Sequence, residues 1–356
     1  MFCQTEVQTM KMIGRETEYH RLCDQLKSEE STVALIHGRS GMGLTRLALE
    51  VMQHSDVRSV YDVGHMVDEP LLTSSFRHAL AASFEDAPQD EHASLHQLFS
   101  WLFHKAESEH ILLVLDNFHD ACKACPGLLP TIQDLHTAFR TDSRLHILLV
   151  GQTAFLPQKA FSTADLLIQL QPLTRDDAYR FYPSLPEEDQ ELLYYHIGSV
   201  PFYLSMIDPE KSARENILHL LIEPQAPLAH YIPDYITRYN KQAANLNAVL
   251  LAIAHGCSTF KEILVFAHTS TSPTLVDLLK KLTSIGIVEK KVGPLIPGKR
   301  QEIAYRFADP LARFYYHYLF PFERERTLMI PSDFMETFIL SETDHSEDPD
   351  AIDFPF

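Results

Sequence analysis

Three glycines lie within six residues near the start of the chain, and their spacing is suited to binding phosphate. They belong to the segment Gly38-Arg-Ser-Gly-Met-Gly-Leu-Thr45, which follows an apolar run and precedes an amphipathic stretch. A P-loop has the pattern GxxxxGK[ST] between a strand and a helix, because its glycines let backbone N–H groups face the phosphates and the helix N-terminus adds partial positive charge. The segment therefore predicts a nucleotide site. Its candidate residues are Gly38, Arg39, Ser40, Gly41, Met42, Gly43, Leu44, Thr45 and Arg46.

One position of this loop departs from the pattern. The lysine that normally balances the charge of the β- and γ-phosphates is replaced by Leu44, which cannot act as a cation. Leu44 also begins a run of apolar residues at helical spacing that continues to Val51, so it fits a helix face that packs on a core. Retained nucleotide binding and a P-loop that serves only as a scaffold both stay open, and Arg39 or Arg46 is a candidate source of the missing charge.

A carboxylate that could hold magnesium ends the apolar run Ile111-Leu-Leu-Val-Leu-Asp116. Asp116 has the place of a Walker B aspartate, which binds the metal directly or through water, and Thr45 would be the second protein ligand. Many P-loop ATPases follow this aspartate with a glutamate that activates the attacking water, whereas this chain has Asn117, an amide that cannot accept a proton at neutral pH. An aspartate that only caps a turn is the alternative. The departures at Leu44 and Asn117 together predict weak or absent ATP hydrolysis.

Hydrophobic patterning predicts the elements that position these residues. From about 31 to 170, short apolar runs alternate with amphipathic stretches; the runs are Thr32–His37, Ser59–Val63, Ile111–Asp116, His146–Gly151 and Leu166–Leu170. Such runs are typical of parallel strands that are covered by helices on both faces and joined by right-handed crossovers. We therefore expect an α/β fold, with a parallel-sheet P-loop domain over residues 1–172.

The chain after residue 172 loses this alternation and predicts three further segments. Residues 173–240 are expected to form a helical lid and connector, with three prolines within 212–240. Helical periodicity in three stretches between 245 and 286, followed by two strand-like segments, predicts a winged-helix domain over 241–322. Residues 323–356 would be a C-terminal extension, and its last 16 residues carry six acids and no lysine or arginine, which predicts a disordered acidic tail.

Taken in order, these motifs resemble those of the archaeal-type P-loop ATPases, in the STAND branch of AAA-like proteins with a C-terminal winged helix. The similarity extends from about residue 12 to 322. Besides the P-loop and Asp116, the segments that carry it are Ile13-Gly-Arg-Glu16 with Glu18, Leu149-Val-Gly-Gln-Thr153, Leu170-Gln-Pro-Leu-Thr174, Gly198-Ser-Val-Pro-Phe-Tyr-Leu204, Leu251-Ala-Ile-Ala-His-Gly256, Leu278–Lys290, Tyr305-Arg-Phe-Ala-Asp-Pro310 and Arg313-Phe-Tyr-Tyr316.

The resemblance implies roles for several residues and a cofactor. Arg15 would lie near the base or ribose, and Gln152 or Thr153 would occupy the sensor-1 position near the γ-phosphate. Pro201 would approach the adenine from the helical lid, although a turn that ends a helix explains the residues around Pro201 equally well. The implied cofactor is ATP or ADP with magnesium. Many relatives continue into a nuclease-like domain, and we expect no nuclease activity here.

The charge distribution bears on nucleic-acid binding. A net charge of −18 repels polyanions on average, so any contact with DNA requires a local basic patch. Seven cations against three acids in 271–306 give this region a charge of +4. The third helix and wing of a winged helix are where that fold meets DNA. The candidates for DNA contact are Lys280, Lys281, Lys290, Lys291, Lys299 and Arg300; the alternative is that these lysines solvate a module that binds other proteins.

Composition excludes several classes of protein. Hydrophobic residues make up 45% and charged residues 22% of the chain, the balance of a globular protein. No apolar run approaches the roughly 18 residues of a membrane span, and the first residues lack the pattern of a signal peptide. Five scattered cysteines in a chain of this length do not form a disulfide framework. We therefore expect a cytoplasmic protein with no membrane partner.

The favoured function is that of an ATP- or ADP-binding AAA-like protein with little hydrolysis, which acts as a switch or interaction module through its winged helix. Nucleotide held between the P-loop and the lid would bias the position of the winged helix. Two alternatives of other classes stay open: an active ATPase with an atypical P-loop, and a DNA-binding regulator whose P-loop domain is a scaffold. The sequence does not indicate which protein partner it has.

Overall fold

A computed structural model describes residues 12–239, 243–268, 272–294 and 301–340 of the chain. The protein divides into two compact units, with the boundary between Pro172 and Leu173. Within the described ranges, no helix has the length and apolar character needed to cross a membrane.

A parallel five-stranded sheet forms the centre of the first unit, which confirms the predicted α/β class. Its strands are β1 (Thr32–Gly38), β2 (Arg58–Val63), β3 (Ile111–Asp116), β4 (Leu145–Gln152) and β5 (Leu166–Leu170), in the spatial order β2-β3-β4-β1-β5. Each strand lies within one residue of its predicted bounds at either end. Strand β1 is flanked by β4 and β5, so chain order reverses beside the P-loop strand, the place where open α/β sheets bind ligands.

Helices cover both faces of this sheet. They are α1 (Glu16–Gln25), α2 (Leu44–His54), α3 (Glu69–Ser83), α4 (Leu95–Lys105), α5 (Phe118–Ala124), α6 (Leu128–Phe139) and α7 (Gln158–Thr163). Alternate residues of β1, β3 and β4 join α3, α4, α5 and α6 in one hydrophobic core. On the other face, α2 packs against β1, β3 and β4 through a buried apolar stripe that includes Leu47 and Val51.

A buried histidine at the amino end of the sheet makes this unit sensitive to acid. His146 on β4 is 2% exposed, and its Nδ1 lies 2.9 Å from Oγ1 of Thr32 on β1. Burial lowers the pKa of His146 to about 4, against about 6.5 in an unfolded chain. Because the folded state favours the neutral ring, this histidine costs nothing above about pH 6.5 and destabilises the fold progressively as the pH falls toward 4.

We therefore expect the His146→Asn variant to lose less stability in acid than the parent protein. Between pH 7 and pH 5, the fall in unfolding free energy should be about 2 kcal/mol smaller in the variant. The single tryptophan, Trp101, lies on α4 of the first unit, so its fluorescence during denaturation reports on this unit. His96→Asn, at an exposed position of the same helix, is the control. An identical pH dependence in His146→Asn and the parent protein would contradict the assignment.

Among its described residues, the second unit contains helices and one β-hairpin. Its α-helices are α8 (Arg175–Tyr179), α9 (Glu187–Ile197), α10 (Pro201–Leu204), α11 (Ala213–Ile217), α12 (Tyr231–Tyr239), α13 (Ala243–Ala254), α14 (Phe260–Phe266), α15 (Ser272–Ser284), α16 (Pro310–Phe314), α17 (Glu323–Leu328) and α18 (Pro331–Met335). Three π-helical turns cover Leu218–Ile222, Tyr315–Leu319 and Glu336–Leu340. The hairpin pairs β6 (Val288–Val292) with β7 (Ile303–Phe307) in antiparallel register.

The predicted order of three helices and a hairpin is present in α13, α14, α15, β6 and β7. An isolated bridge joins Thr259, just before α14, to Ala304 on β7. Buried tyrosines from α12 and from the turn Tyr315–Leu319 bond to this region: the hydroxyl of Tyr316 donates to Oδ1 of Asn247 at 2.7 Å, and that of Tyr235 donates to the carbonyl of Ile285 at 3.0 Å. The winged-helix interpretation of this order stays a prediction. The acidic segment 341–356 lies outside the described residues.

Candidate nucleotide site

The glycine-rich loop lies at the carboxyl end of the sheet, between β1 and α2. Gly38 ends β1, and Leu44, Thr45 and Arg46 are the first residues of α2. Gly41 and Gly43 have φ angles of 87° and 84°, in the left-handed region that favours glycine. A Cβ on Gly38 would lie 2.9 Å from the carbonyl oxygen of Leu170, too close for any side chain. Local sterics or backbone conformation thus favour glycine at each of these three positions. The strand, loop and helix arrangement of a P-loop is present.

The structure brings the two predicted metal ligands into direct contact. Oγ1 of Thr45 donates a hydrogen bond to Oδ2 of Asp116 at 2.7 Å, and the backbone N–H of Asn117 donates to Oδ1 at 2.7 Å. Asp116 is 5% exposed and ends β3, two strands from the P-loop strand. Octahedral magnesium has metal–oxygen distances of about 2.1 Å, which place neighbouring ligands about 3 Å apart. The Thr45 and Asp116 oxygens therefore have the chemistry and spacing of adjacent magnesium ligands.

Asn117 has a backbone conformation that few residues adopt. Its φ of 48° and ψ of 35° are left-handed, and it precedes α5 without a side-chain hydrogen bond to that helix. Asparagine tolerates this region better than residues with longer side chains do. A glutamate in the same place would meet a backbone cost as well as a change in chemistry.

Leu44 is half-buried and lies close to the loop itself. Its Cδ2 would be 3.3 Å from a Cβ placed on Gly38, whereas Leu47 and Val51 further along α2 are fully buried. Leu44 therefore extends the core-facing stripe of α2 only in part. Its side chain covers the first glycine of the P-loop, near the place where the ammonium of a P-loop lysine would act.

The arginines near the loop differ in their surroundings. Arg46 forms an ion pair with Glu50 on the same helix at 2.9 Å, so its guanidinium is directed along α2 in this conformation. Arg39, within the loop, is 9% exposed. Arg15 donates to the carbonyl of Gln171 at 2.6 Å and to that of Met42 in the loop at 3.4 Å. Arg15 thus supports the P-loop from outside, and its proposed contact with base or ribose stays a prediction.

The sensor-1 candidates at the end of β4 lie beside the P-loop strand. Gln152 is in register with Gly38, and the backbone N–H of Thr153 donates to the Gly38 carbonyl at 2.9 Å. The backbone N–H of Gln152 donates to Nδ1 of His119 at 3.4 Å. Burial lowers the pKa of His119, which favours the neutral ring that accepts this bond. Both candidates are therefore fixed to the carboxyl edge of the sheet by their backbone groups.

Two residues that support Asp116 were not predicted from the sequence: Tyr61 on β2, and Gly64, which directly follows β2. The hydroxyl of Tyr61 donates to Oδ2 of Asp116 at 2.8 Å, and burial, together with this hydrogen bond, raises the pKa of Tyr61. The backbone N–H of Gly64 donates to the Asp116 carbonyl at 2.7 Å, and a Cβ on Gly64 would lie 2.5 Å from the Asn117 carbonyl oxygen. A tyrosine within the predicted strand Ser59–Val63 was the only local signal for Tyr61, because the pairing of β2 with β3 cannot be inferred from either segment alone.

The remaining candidates lie in the second unit or outside the described ranges. Pro201 begins α10 three residues after Gly198, which has a φ of 83° and caps the end of α9. Lys280 and Lys281 on α15 and Lys290 on β6 are exposed. Nζ of Lys291 on β6 lies 3.2 Å from Glu289. Lys299 and Arg300 lie outside the described residues. The described part of the chain contains no group of three or more His, Cys, Asp or Glu side chains placed to bind a metal.

Known proteins resemble this chain in sequence and in fold. Residues 27–158 match the AAA domain family. An uncharacterized protein of Methanocaldococcus jannaschii, MJECL04, is 22% identical over 321 residues, which are 87% of this chain and 69% of that protein.

Solved structures give a similar result. The Walker-type ATPase PABY2304 of Pyrococcus abyssi superposes with a TM-score of 0.63 at 15% identity, over 86% of this chain and 96% of that one. Aeropyrum pernix ORC1 in complex with DNA covers 88% of this chain and 94% of its own at 15% identity, but its TM-score is only 0.41. At these identities the first likeness shows the fold, and the second is too weak to support an argument.

The match over 27–158 includes the P-loop, Asp116 and the four strands β1 to β4. The fold likeness to the Pyrococcus ATPase extends over most of both chains. The comparisons thereby support the predicted resemblance to P-loop ATPases: residues 27–158 match the AAA domain family, and the chain shares its fold with the Pyrococcus ATPase.

Proposed function

We propose that this protein binds ATP or ADP with magnesium at the carboxyl edge of its parallel sheet. The observation that carries the proposal is the contact of Thr45 with Asp116 at 2.7 Å, directly after a loop in which Gly41 and Gly43 have left-handed φ angles. Helix α2 begins at Leu44, directly after the loop, and the first N–H groups of a helix have no partner within it, so they are suited to bind phosphate here. These groups supply positive potential without a side-chain cation.

The site fits magnesium by the chemistry of its donors. A hydroxyl and a carboxylate are hard oxygen ligands, and the remaining positions of an octahedral ion would belong to phosphate oxygens and water. Magnesium would neutralise the phosphate charge that the missing lysine leaves uncompensated. Thr45 and Asp116 would hold it, and the loop N–H groups would bind the phosphates.

We propose further that hydrolysis is slow or absent. Leu44 provides no charge at the β- and γ-phosphates, and Arg46 is engaged by Glu50 in this conformation. Asn117 can orient a water molecule through its amide, but it cannot take a proton from it. Position 44 therefore carries no phosphate cation and position 117 no general base, and Arg39 within the loop is the remaining candidate cation of the active-ATPase alternative.

A protein that binds nucleotide without consuming it would act as a switch. In this proposal the second unit carries the output, through the helices and hairpin of residues 243–307. Such coupling requires that ATP, ADP or the empty site favour different states of the protein, because a ligand shifts an equilibrium only through its differential affinity.

Calorimetric titration with ATP and ADP, with and without magnesium, tests the binding proposal. We expect the parent protein to bind both nucleotides, more tightly with magnesium. Asp116→Ala should reduce the magnesium-dependent gain in affinity by about 10-fold or more, because a direct or water-mediated ligand is lost. Asp134→Ala, which removes an exposed carboxylate on α6, is the matched control. The absence of binding heat for both nucleotides in the presence of magnesium would exclude the proposal and leave a scaffold.

A second candidate function is DNA binding, and the exposed Lys280, Lys281 and Lys290 favour it. Such binding would be weak and salt-sensitive, since few cations face a protein with a net charge of −18. Replacing these three lysines and Lys291 with glutamate should abolish a gel shift measured at low salt. Lys27→Glu with Lys159→Glu, at exposed positions of the first unit, controls for charge alone. A gel shift that survives the four changes would exclude this surface.

A further inference from the structure

Asp116 accepts two hydroxyl hydrogen bonds at the same carboxylate oxygen. Thr45 donates to Oδ2 at 2.7 Å and Tyr61 donates to it at 2.8 Å, while Oδ1 accepts the backbone N–H of Asn117 at 2.7 Å. The Thr45 hydroxyl belongs to the expected metal site. The Tyr61 hydroxyl comes from β2, the strand on the far side of Asp116 from the P-loop.

The register of the sheet explains how Tyr61 reaches this oxygen. Val63 on β2 is paired with Asp116 on β3, and Tyr61 lies two residues earlier on the same face of the sheet. Because β2 and β3 are joined along six residue pairs, the position of the Tyr61 ring relative to Asp116 is fixed by the sheet and does not depend on a loop.

A count of lone pairs separates the roles of the two hydroxyls. Each carboxylate oxygen offers two lone-pair sites, so the two O–H donors occupy both sites of Oδ2. If Thr45 becomes a metal ligand, its oxygen turns to the ion and one site of Oδ2 is released toward the same ion or its water. The Tyr61 bond can remain in place, since it uses the other site.

We propose that Tyr61 is a positioning residue for the magnesium site. Its hydroxyl holds the Asp116 carboxylate so that the Oδ2 lone pair released by Thr45 points at the ion. This inference rests on the proposed function, because it concerns the same metal. Tyr61 itself contacts neither ion nor nucleotide in this arrangement. It acts through Asp116, as hydrogen-bond donors to metal-binding carboxylates generally do.

The variant Tyr61→Phe tests this role, because it removes the hydroxyl and keeps the ring. The quantity to measure is the ratio of the ATP dissociation constants without and with magnesium. We expect this ratio to fall by about 10-fold in the variant, with the magnesium-free affinity unchanged. Tyr182→Phe is the matched control, because Tyr182 is a buried tyrosine of the second unit whose hydroxyl has no hydrogen-bond partner among the described residues. Trp101 fluorescence checks that the first unit of the variant is folded.

Each other outcome has a definite meaning. An unchanged or increased ratio in Tyr61→Phe overturns the inference, since the hydroxyl would then be dispensable or would compete with the metal. Equal weakening with and without magnesium also overturns it and indicates a general structural role. Failure of the parent protein to bind ATP overturns the proposed function and this inference together, and is distinguished from the preceding outcomes because it is seen without any substitution.

Discussion

The double variant Leu44→Lys with Asn117→Glu is expected to hydrolyse ATP about 100-fold faster than the parent protein, or more. Each substitution restores a group that acts on charge or proton transfer in the transition state, and single groups of this kind contribute about 100-fold or more in functional enzymes. Thr45, Asp116 and the loop glycines are already in the arrangement that these groups require. The measurement is phosphate release under saturating ATP and magnesium.

The two substitutions differ in their structural cost. Lysine at position 44 can lay its aliphatic stem where the half-buried Leu44 lies and extend its ammonium toward the phosphates. Glutamate at position 117 must adopt a φ near 48°, which costs an L-residue about 1 to 2 kcal/mol. We therefore expect Leu44→Lys alone to raise nucleotide affinity without loss of stability, and the glutamate to lower the unfolding free energy of the first unit.

Two controls isolate the chemistry of the restored groups. Leu44→Met keeps the volume and the apolar character of the side chain, so it should leave turnover unchanged. Adding Asp116→Ala to the double variant should return phosphate release to the background. If the double variant is no faster than that triple variant, the site has lost more than the groups at positions 44 and 117.

Gly64→Ala is expected to destabilise the first unit by about 3 kcal/mol and to abolish magnesium-dependent nucleotide binding. The new Cβ would lie 2.5 Å from the carbonyl oxygen of Asn117 and 2.9 Å from Cβ of Ala121, and neither neighbour is the end of a flexible side chain. Overpacking of this kind typically costs about 1 to 3 kcal/mol, at the upper end where backbone must move. The backbone that has to move here carries Asp116 and Asn117.

The matched control for Gly64→Ala is Gly127→Ala, because a Cβ at Gly127 would meet nothing within 4 Å. Gly127 has a φ of −78° and a ψ of −13°, which alanine adopts without strain. Denaturation followed by Trp101 fluorescence should show the loss of stability in the first variant only. Equal stability of the two variants would mean that α5 moves away from β2 at little cost.

Most of the sheet could be predicted because its central strands β1, β3 and β4 are apolar runs buried on both faces, and the edge strands β2 and β5 are short, partly buried runs. The five predicted strands match β1 to β5 within one residue at each end, since nothing in those segments competes with the strand assignment. The helices α17 and α18 and the π-helical turns were not predicted. These elements are only five or six residues long, and the π-helical turns depart from the 3.6-residue repeat, so they leave little periodicity in the sequence.

Some residues of the candidate site could be predicted from their own segment, and others depend on contacts with distant parts of the chain. The P-loop, Thr45 and Asp116 could be predicted because each has a pattern within its own segment. Tyr61 could not, because its role depends on the register of β2 against β3, and Asn117 gave no sign of its left-handed backbone. The close approach of Gly64 to the Asn117 carbonyl was equally invisible, since it joins residues more than fifty positions apart.

The order of the strands in the sheet has a consequence for biosynthesis. Strand β1 pairs with β4 and β5, and not with β2 or β3, which come next in the chain. The partner of Thr32 in the sheet is His146, 114 residues later. During translation the apolar β1 segment therefore has no native hydrogen-bonding partner until β4 has left the ribosome. β2 and β3, by contrast, can pair with each other earlier. The phosphate-binding loop would be among the last parts of the first unit to acquire its shape, and the nascent chain would depend on chaperones or rapid collapse to shield β1 meanwhile.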